Sequence, residues 1–456
     1  MCFTGAHGKG LHVERRKIGI KRGCNRGQSF DGIVNLSTFN LAFIYALWYS
    51  FRMKTIERCA LKEVLEASSE FPAVLVTGAR QVGKTTLLKS AATSSRHVVS
   101  LDSLVVRDLA RRDPKLFLAS YPPPIFIDEI QYAPQLLPYI KEIIDAQPDA
   151  KGLFWLSGSQ QFHLMKDVSE SLAGRVAVIT LGGIAQEEER GHFHEAPFTP
   201  SCPPSPYDSF DNILTIFERI HRGSFPALVT GKIKHWERFY RSYVTTYVER
   251  DVRDLTNITN EDRFLRFIRA TAARTGQLLN LSALARDVGI SVSTASDWLS
   301  ILKTSNLVYL LQPYARNVTS RIVKTPKLYF TDTGLCCYLL GWDSPTTLMH
   351  GAMAGEMFET FVISELLKQY WNRGKEPHFY FYRDKQGVEI DLLIERNGVL
   401  EPIEIKKSAS PTVSDIKAFQ KVSSLGISLG KGAVICAVEQ SLPLTENVVL
   451  IPVGSL

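Results

Sequence analysis

Nine consecutive residues, Gly78, Ala79, Arg80, Gln81, Val82, Gly83, Lys84, Thr85 and Thr86, constrain this chain more than any others. They follow Ala73–Thr77, a short apolar run rich in β-branched side chains that predicts a buried parallel strand, and a helical pattern opens at Lys84. A glycine loop between strand and helix turns successive N–H groups toward one point, where the helix terminus adds partial positive charge. The spacing GxxxxGK[ST] therefore predicts a loop that holds a nucleoside triphosphate. Gly78 and Gly83 supply the turns, Lys84 the charge at the β and γ oxygens, and Thr85 a hydroxyl for Mg²⁺. ATP and magnesium are the expected cofactors, on an α/β fold with a parallel sheet between helices.

A partner for that loop lies downstream. Pro124–Ile127 is a second apolar run, and it ends in Asp128 and Glu129, at the carboxyl end of a predicted strand. Asp128 is expected to hold Mg²⁺ and Glu129 to polarise the attacking water, which predicts hydrolysis rather than binding alone. Leu153–Leu156 reads as a third strand, followed by Ser159 and Gln160, candidates for a γ-phosphate sensor or else a plain turn. Arg175 is a candidate to reach a phosphate in its own or a neighbouring subunit, against the alternative of a solvated arginine.

At 456 residues the chain has room for several cores. Its 45% apolar and 22% charged residues are ordinary for a globular protein. Of the net charge of +7, the first 50 residues carry +5, from seven basic side chains against Glu14 and Asp31, so bulk charge does not argue for nucleic acid. Seven scattered cysteines without ligand spacing predict no zinc site and fit a reducing cytoplasm. Ile33–Phe51 is apolar but interrupted by Asn35, Ser37, Thr38 and Asn40, so no stable membrane association is expected. Met53 is the expected native start, with residues 1–52 a non-native or disordered extension.

From Arg263 three helical stripes follow in short order: Phe264, Phe267, Ile268; Leu281, Leu284, Ala285, Val288; and Val292, Ala295, Leu299, Leu302. Gly289 breaks the second from the third, and Leu307–Leu311 and Leu328–Phe330 read as two strands, which together predict a winged helix. The third helix exposes Ser291, Ser293, Thr294, Ser296 and Asp297, which bring little positive charge. Arg316, Arg321, Lys324 and Lys327 in the wing are expected to add it if the element contacts DNA; a purely structural or oligomerising role is the alternative.

Residues 354–370 give an amphipathic helix pattern with Phe358, Val362 and Leu366 on one stripe. Tyr380–Tyr382 and Val388–Ile394 alternate as a hairpin, and Pro402–Lys406 follows. Residues two apart in a strand share a face, so Glu404 and Lys406 point together, and a neighbouring strand brings Asp391 beside them. Two carboxylates suit a hard cation such as Mg²⁺, and a lysine suits activation of a water for attack on a phosphodiester. An ordinary surface ion pair is the other reading. This order resembles the PD-(D/E)XK nuclease fold, which implies that Glu359 on the helix completes the site; Arg383 and Glu389 are candidates to orient it.

From Met53 onward nearly all of the chain resembles a family of bacterial and archaeal AAA-type ATPases with a C-terminal domain of unknown function. The resemblance rests on the loop at 78–86, Leu101-Asp102, Phe126–Gln131, Ser171–Val176, Gly223–Leu228, Thr246–Val252 and Tyr329–Leu335. It implies an additional-strand ATPase core over 53–190, a loop and helical lid over 191–260, a winged helix over 261–331 and a nuclease-like domain over 332–456. In the lid, Arg250 and Arg253 are the candidate phosphate-facing residues. Gly182-Gly183-Ile184 departs from the family's usual proline-leucine-serine turn. The expected function is ATP hydrolysis that controls a nuclease-like domain, with DNA or RNA as partner and a homo-oligomer as a possible state. The alternative is an ATP-driven signalling switch whose nuclease-like domain only binds.

Overall fold

The computed structural model describes residues 56–158, 168, 170–204, 211–247, 261–314, 325–424 and 428–456. Met53, residues 1–52, Phe210, Ser159, Gln160, Arg250, Arg253, Arg316, Arg321 and Lys324 lie outside the described residues.

Two sheets organise the described residues. The first contains β1 (Ala73–Thr77), β2 (His97–Ser100), β3 (Ile125–Asp128), β4 (Phe154–Ser157) and β5 (Val176–Thr180), all parallel, in the order β2-β3-β4-β1-β5. Every residue of β1, β3 and β4 is buried, as their unbroken apolar sequences require for strands covered on both faces. Because β4 is inserted between β1 and β3, Ser157 at its end lies between the loop after β1 and the carboxylates after β3. Helix Ala60–Glu70 precedes β1.

The second sheet has nine strands, in the order β13-β14-β12-β11-β10-β9-β7-β8-β6. Its members are β6 (Gln277–Leu278), β7 (Val308–Pro313), β8 (Lys327–Phe330), β9 (Phe379–Arg383), β10 (Glu389–Arg396), β11 (Val399–Lys406), β12 (Gly432–Cys436), β13 (Leu442–Thr445) and β14 (Val448–Pro452). Helices Glu261–Ala272, Leu281–Val288 and Val292–Thr304 precede the β7-β8 hairpin, and β6 pairs antiparallel with β8. Gly289, at φ +74°, ends the second of these helices, and the Ser291 hydroxyl accepts from Thr294 N to start the third. Ala295, Leu299 and Leu302 face inward with Trp298, but Val292, counted with that stripe from the sequence, is 48% exposed. β7 pairs in parallel with β9, so strands on either side of residue 332 share one sheet.

Helix Ala354–Trp371 corrects a second expectation. It is not amphipathic: from Met357 to Gln369 nearly every residue is buried, including Glu365, Lys368 and Gln369. Its apolar stripe is real, but the opposite face packs too, with its charges satisfied inside the protein.

Candidate nucleotide and acidic sites

The loop after β1 has the backbone its glycines predict. Gly78 and Gly83 adopt φ +137° and +99°, and Gln81 also takes a positive φ. A Cβ on Gly78 would lie 2.2 Å from the Leu181 carbonyl oxygen, so that glycine is required by the close approach of β5's exit as well as by its own dihedral. The buried Lys84 ammonium donates to the carbonyls of Gly78 (2.9 Å) and Ala79 (2.8 Å). Thr85 Oγ1 donates to Asp128 Oδ1 at 2.8 Å, and Ser157 Oγ donates to the same oxygen. A hydroxyl and a carboxylate meeting at the mouth of a glycine loop are the donor set that Mg²⁺ with a triphosphate requires.

Glu129 follows with φ +57°, a left-handed conformation that costs a non-glycine residue roughly 1–3 kcal/mol. Its amide donates to Ser157 Oγ at 3.3 Å, and its carboxylate accepts from Gln131 Nε2. Gln131 thus steadies the carboxylate at the strained turn. Sequence reasoning passed over both Ser157 and Gln131; the strand end and the position two residues beyond the acidic pair were the signals available.

Arg175 does not reach this site within its own chain. Its carbonyl accepts from Ala73 N at 3.2 Å, at the amino end of β1 and so at the opposite end of the sheet from the loop. Its guanidinium pairs with Asp145 at 2.6 Å.

In the second sheet β10 and β11 are antiparallel with Leu392 opposite Ile403, and the next step of that register sets Asp391 opposite Glu404. Lys406 Nζ lies 2.8 Å from Glu404 and 3.7 Å from Asp391, and Asp391 accepts from Ile405 N at 2.9 Å. These three residues are brought together. The Glu359 carboxylate accepts from Lys327 Nζ at 3.1 Å and from the Tyr329 hydroxyl. Among the described residues no group of three or more His, Cys, Asp or Glu side chains is arranged to hold a metal.

Lys327 is the clearest correction to the sequence reading. Expected as a wing cation for nucleic acid, it is 4% exposed and ion-paired with both Glu359 and Glu389, the latter also meeting Arg383 at 3.2 Å. The preceding strand pair therefore lends its lysine and tyrosine to the acidic site.

Burial, reinforced by Asp391, pushes the Glu404 carboxyl up to about 9 and Glu359 up to about 7. Burial pulls on Lys406 in the opposite sense, but Asp391 and Glu404 outweigh it and leave that ammonium at about 12. A carboxyl whose folded pKa exceeds its unfolded one holds its proton more tightly in the folded state. This site therefore loses stability as pH rises from the ordinary 4.5 through about 9. Thermal melts across that range are expected to fall more steeply for the wild type than for Glu404→Gln. Parallel slopes would contradict the assignment.

No described helix is long and apolar enough to cross a membrane. Family profiles match three stretches: an AAA domain over residues 70–189, a domain of unknown function (DUF8612) over 214–346, and another (DUF4143) over 354–456. Two uncharacterised proteins, from Mycobacterium tuberculosis and Mycobacterium bovis, are each 29% identical over 401 residues, covering 88% of this chain and 84% of theirs. Among solved structures, the Walker-type ATPase PABY2304 of Pyrococcus abyssi covers 63% of this chain and 97% of its own, at 17% identity and a TM-score of 0.39. RuvB of Thermotoga maritima covers 55% and 86%, at 18% identity and a TM-score of 0.27. The profile match over 70–189, joined to the parallel sheet and the loop after β1, identifies an AAA-type P-loop domain in this chain.

Proposed function

We propose that the chain binds ATP with magnesium and hydrolyses it at the loop after β1. The observation that carries this is the meeting of Thr85 and Asp128 at 2.8 Å beside the buried Lys84. Magnesium, when bound with the triphosphate, would be held by Thr85 and Asp128 and would offset charge on the phosphate oxygens. The residues 78–86 supply main-chain donors, Lys84 exchanges its two carbonyl acceptors for phosphate oxygens, and Glu129, steadied by Gln131, takes the proton of the attacking water. Purified protein is expected to take up ATP saturably in the presence of magnesium. Failure to do so would end this reading.

The nucleotide cycle controls the C-terminal acidic site. What supports this is the buried polar lacing between the segment after β5 and helix Ala354–Trp371, the helix that carries Glu359. Gln186 N donates to Glu365 at 3.0 Å, Lys368 Nζ donates to the Ile184 carbonyl at 3.2 Å, and Arg373 makes a two-pronged pair with Glu187 at 2.6 Å. Gly182 and Gly183 explain the departure from the family's turn, because a Cβ would lie 2.9 Å from Lys368 Cγ at one and 2.2 Å from Ser224 Oγ at the other.

Residues 261–331 act in this reading as a winged helix, and 332–456 as a PD-(D/E)XK-like domain in which Asp391 and Glu404 hold a divalent cation and Lys406 activates water for attack on DNA or RNA. Cleavage of DNA or RNA is expected with Mg²⁺ or Mn²⁺, to respond to ATP, and to be lost in Lys406→Ala. Retention of nucleic acid without cleavage in the wild type would leave a binding domain instead.

A further inference from the structure

We propose that Arg58, just before helix Ala60–Glu70, positions the phosphate loop and carries its state to helix Ala354–Trp371. This rests on the nucleotide reading above and names how that site is coupled to the rest of the chain.

In a trans peptide the N–H and C=O point in opposite directions. A loop that turns its N–H groups toward a phosphate therefore turns its carbonyls into the protein, where each needs a donor. Lys84 serves the carbonyls of Gly78 and Ala79. The Val82 carbonyl, belonging to the peptide whose N–H is that of Gly83, is served by Arg58 Nη1 at 2.9 Å. Lys84 is the group expected to leave its acceptors when a triphosphate arrives, whereas Arg58 makes no contact that nucleotide would displace. It is a fixed brace for the second half of the loop.

The same guanidinium reaches outward. Nη2 donates to the Gly182 and Gly183 carbonyls at 2.8 and 3.1 Å, and Nε pairs with Glu188 at 3.1 Å. Glu188 in turn accepts from Asn372 Nδ2 at 3.2 Å, and Asn372 Oδ1 accepts from Gly182 N at 3.0 Å. Asn372 is fully buried at the carboxyl end of helix Ala354–Trp371. An unbroken line of buried hydrogen bonds thus runs from a phosphate-loop carbonyl through a guanidinium and a carboxylate to the end of the helix bearing Glu359. In a low-dielectric interior such a network moves as a unit, because no member can lose its partner cheaply.

Two variants of the full chain test this, with fluorescent mant-ADP as the nucleotide probe and hydrogen exchange of peptides covering residues 365–372 as the second readout. Arg58→Lys keeps the charge but has a point donor in place of a fork, and cannot serve Val82, Gly182 and Glu188 together. It is expected to weaken mant-ADP binding by about 10-fold, the loss of one or more charged hydrogen bonds. Asn372→Ala, remote from the loop, is expected to bind mant-ADP within about 2-fold of wild type, below the effect of one hydrogen bond. It should nevertheless lose the nucleotide-dependent protection that wild type gains at 365–372. Wild-type affinity in Arg58→Lys, or undiminished nucleotide-dependent protection in Asn372→Ala, would overturn the proposal. A wild-type protein that does not bind mant-ADP would overturn the nucleotide reading itself, and the coupling with it. If Arg58→Lys does not fold, the Asn372→Ala comparison still decides the coupling.

Discussion

Glu129→Gln is expected to bind ATP and magnesium as the wild type does and to release phosphate at about a hundredth of its rate or less, the usual weight of a positioned general base. Glutamine keeps the size of the side chain and can still pair with Gln131, so the left-handed turn at φ +57° is preserved. What it loses is the capacity to take a proton. Lys84→Ala should fail in a different way. Its ammonium is one of the donors that order the loop, holding the Gly78 and Ala79 carbonyls at 2.9 and 2.8 Å, and it is the charge expected at the β and γ oxygens. Affinity and turnover should fall together. Steady-state phosphate release, measured beside equilibrium ATP binding, separates the two patterns. Unchanged turnover in both variants would remove hydrolysis from the description of this chain.

The residues of that site were readable because they are local. β1 and β3 are short unbroken apolar runs, and each leads directly into the polar residues it positions, so one window of sequence contains both the strand and its chemistry. The insertion of β4 between them came only from the resemblance, since nothing local fixes which strand pairs with which. Readings failed where a charged residue's partner is far away in sequence. Lys327 looks like a wing cation until Glu359 and Glu389 are seen on either side of it. Helix Ala354–Trp371 displays an apolar stripe, but Glu365 and Lys368, which suggest a wet face, are paired with each other and with backbone some 180 residues earlier. Arg175 sits beside a well-placed glycine turn, and only the direction of β5 reveals that within its own chain it lies at the end of the sheet opposite the loop.

The run from Gln186 to Arg190 is the extreme case of this blindness and the place where a single change should hurt folding most. Five polar residues in sequence read as solvent-facing, yet Glu187 and Glu188 are 0% and 2% exposed. Glu188 accepts from Arg58 Nε (3.1 Å), Cys59 N (2.8 Å), Ala185 N (3.0 Å) and Asn372 Nδ2 (3.2 Å). In Glu188→Ala the Arg58 guanidinium stays buried without its counter-charge, and two backbone amides and a side-chain amide lose an acceptor. Removing one partner of a buried ion pair costs about 3–5 kcal/mol, and each orphaned donor adds about 1–3 kcal/mol. Against a typical total of about 5–15 kcal/mol, that sum is enough to unfold much of the chain at ambient temperature. Glu188→Gln retains the shape and one carbonyl acceptor, so its melting temperature should fall between those of Glu188→Ala and the wild type. The interval between the two variants reports the buried hydrogen bonds, and the interval from Gln to wild type reports the charge. A Glu188→Ala protein that melts within a degree or two of wild type would mean that this buried cluster does not hold the two sheets' segments together.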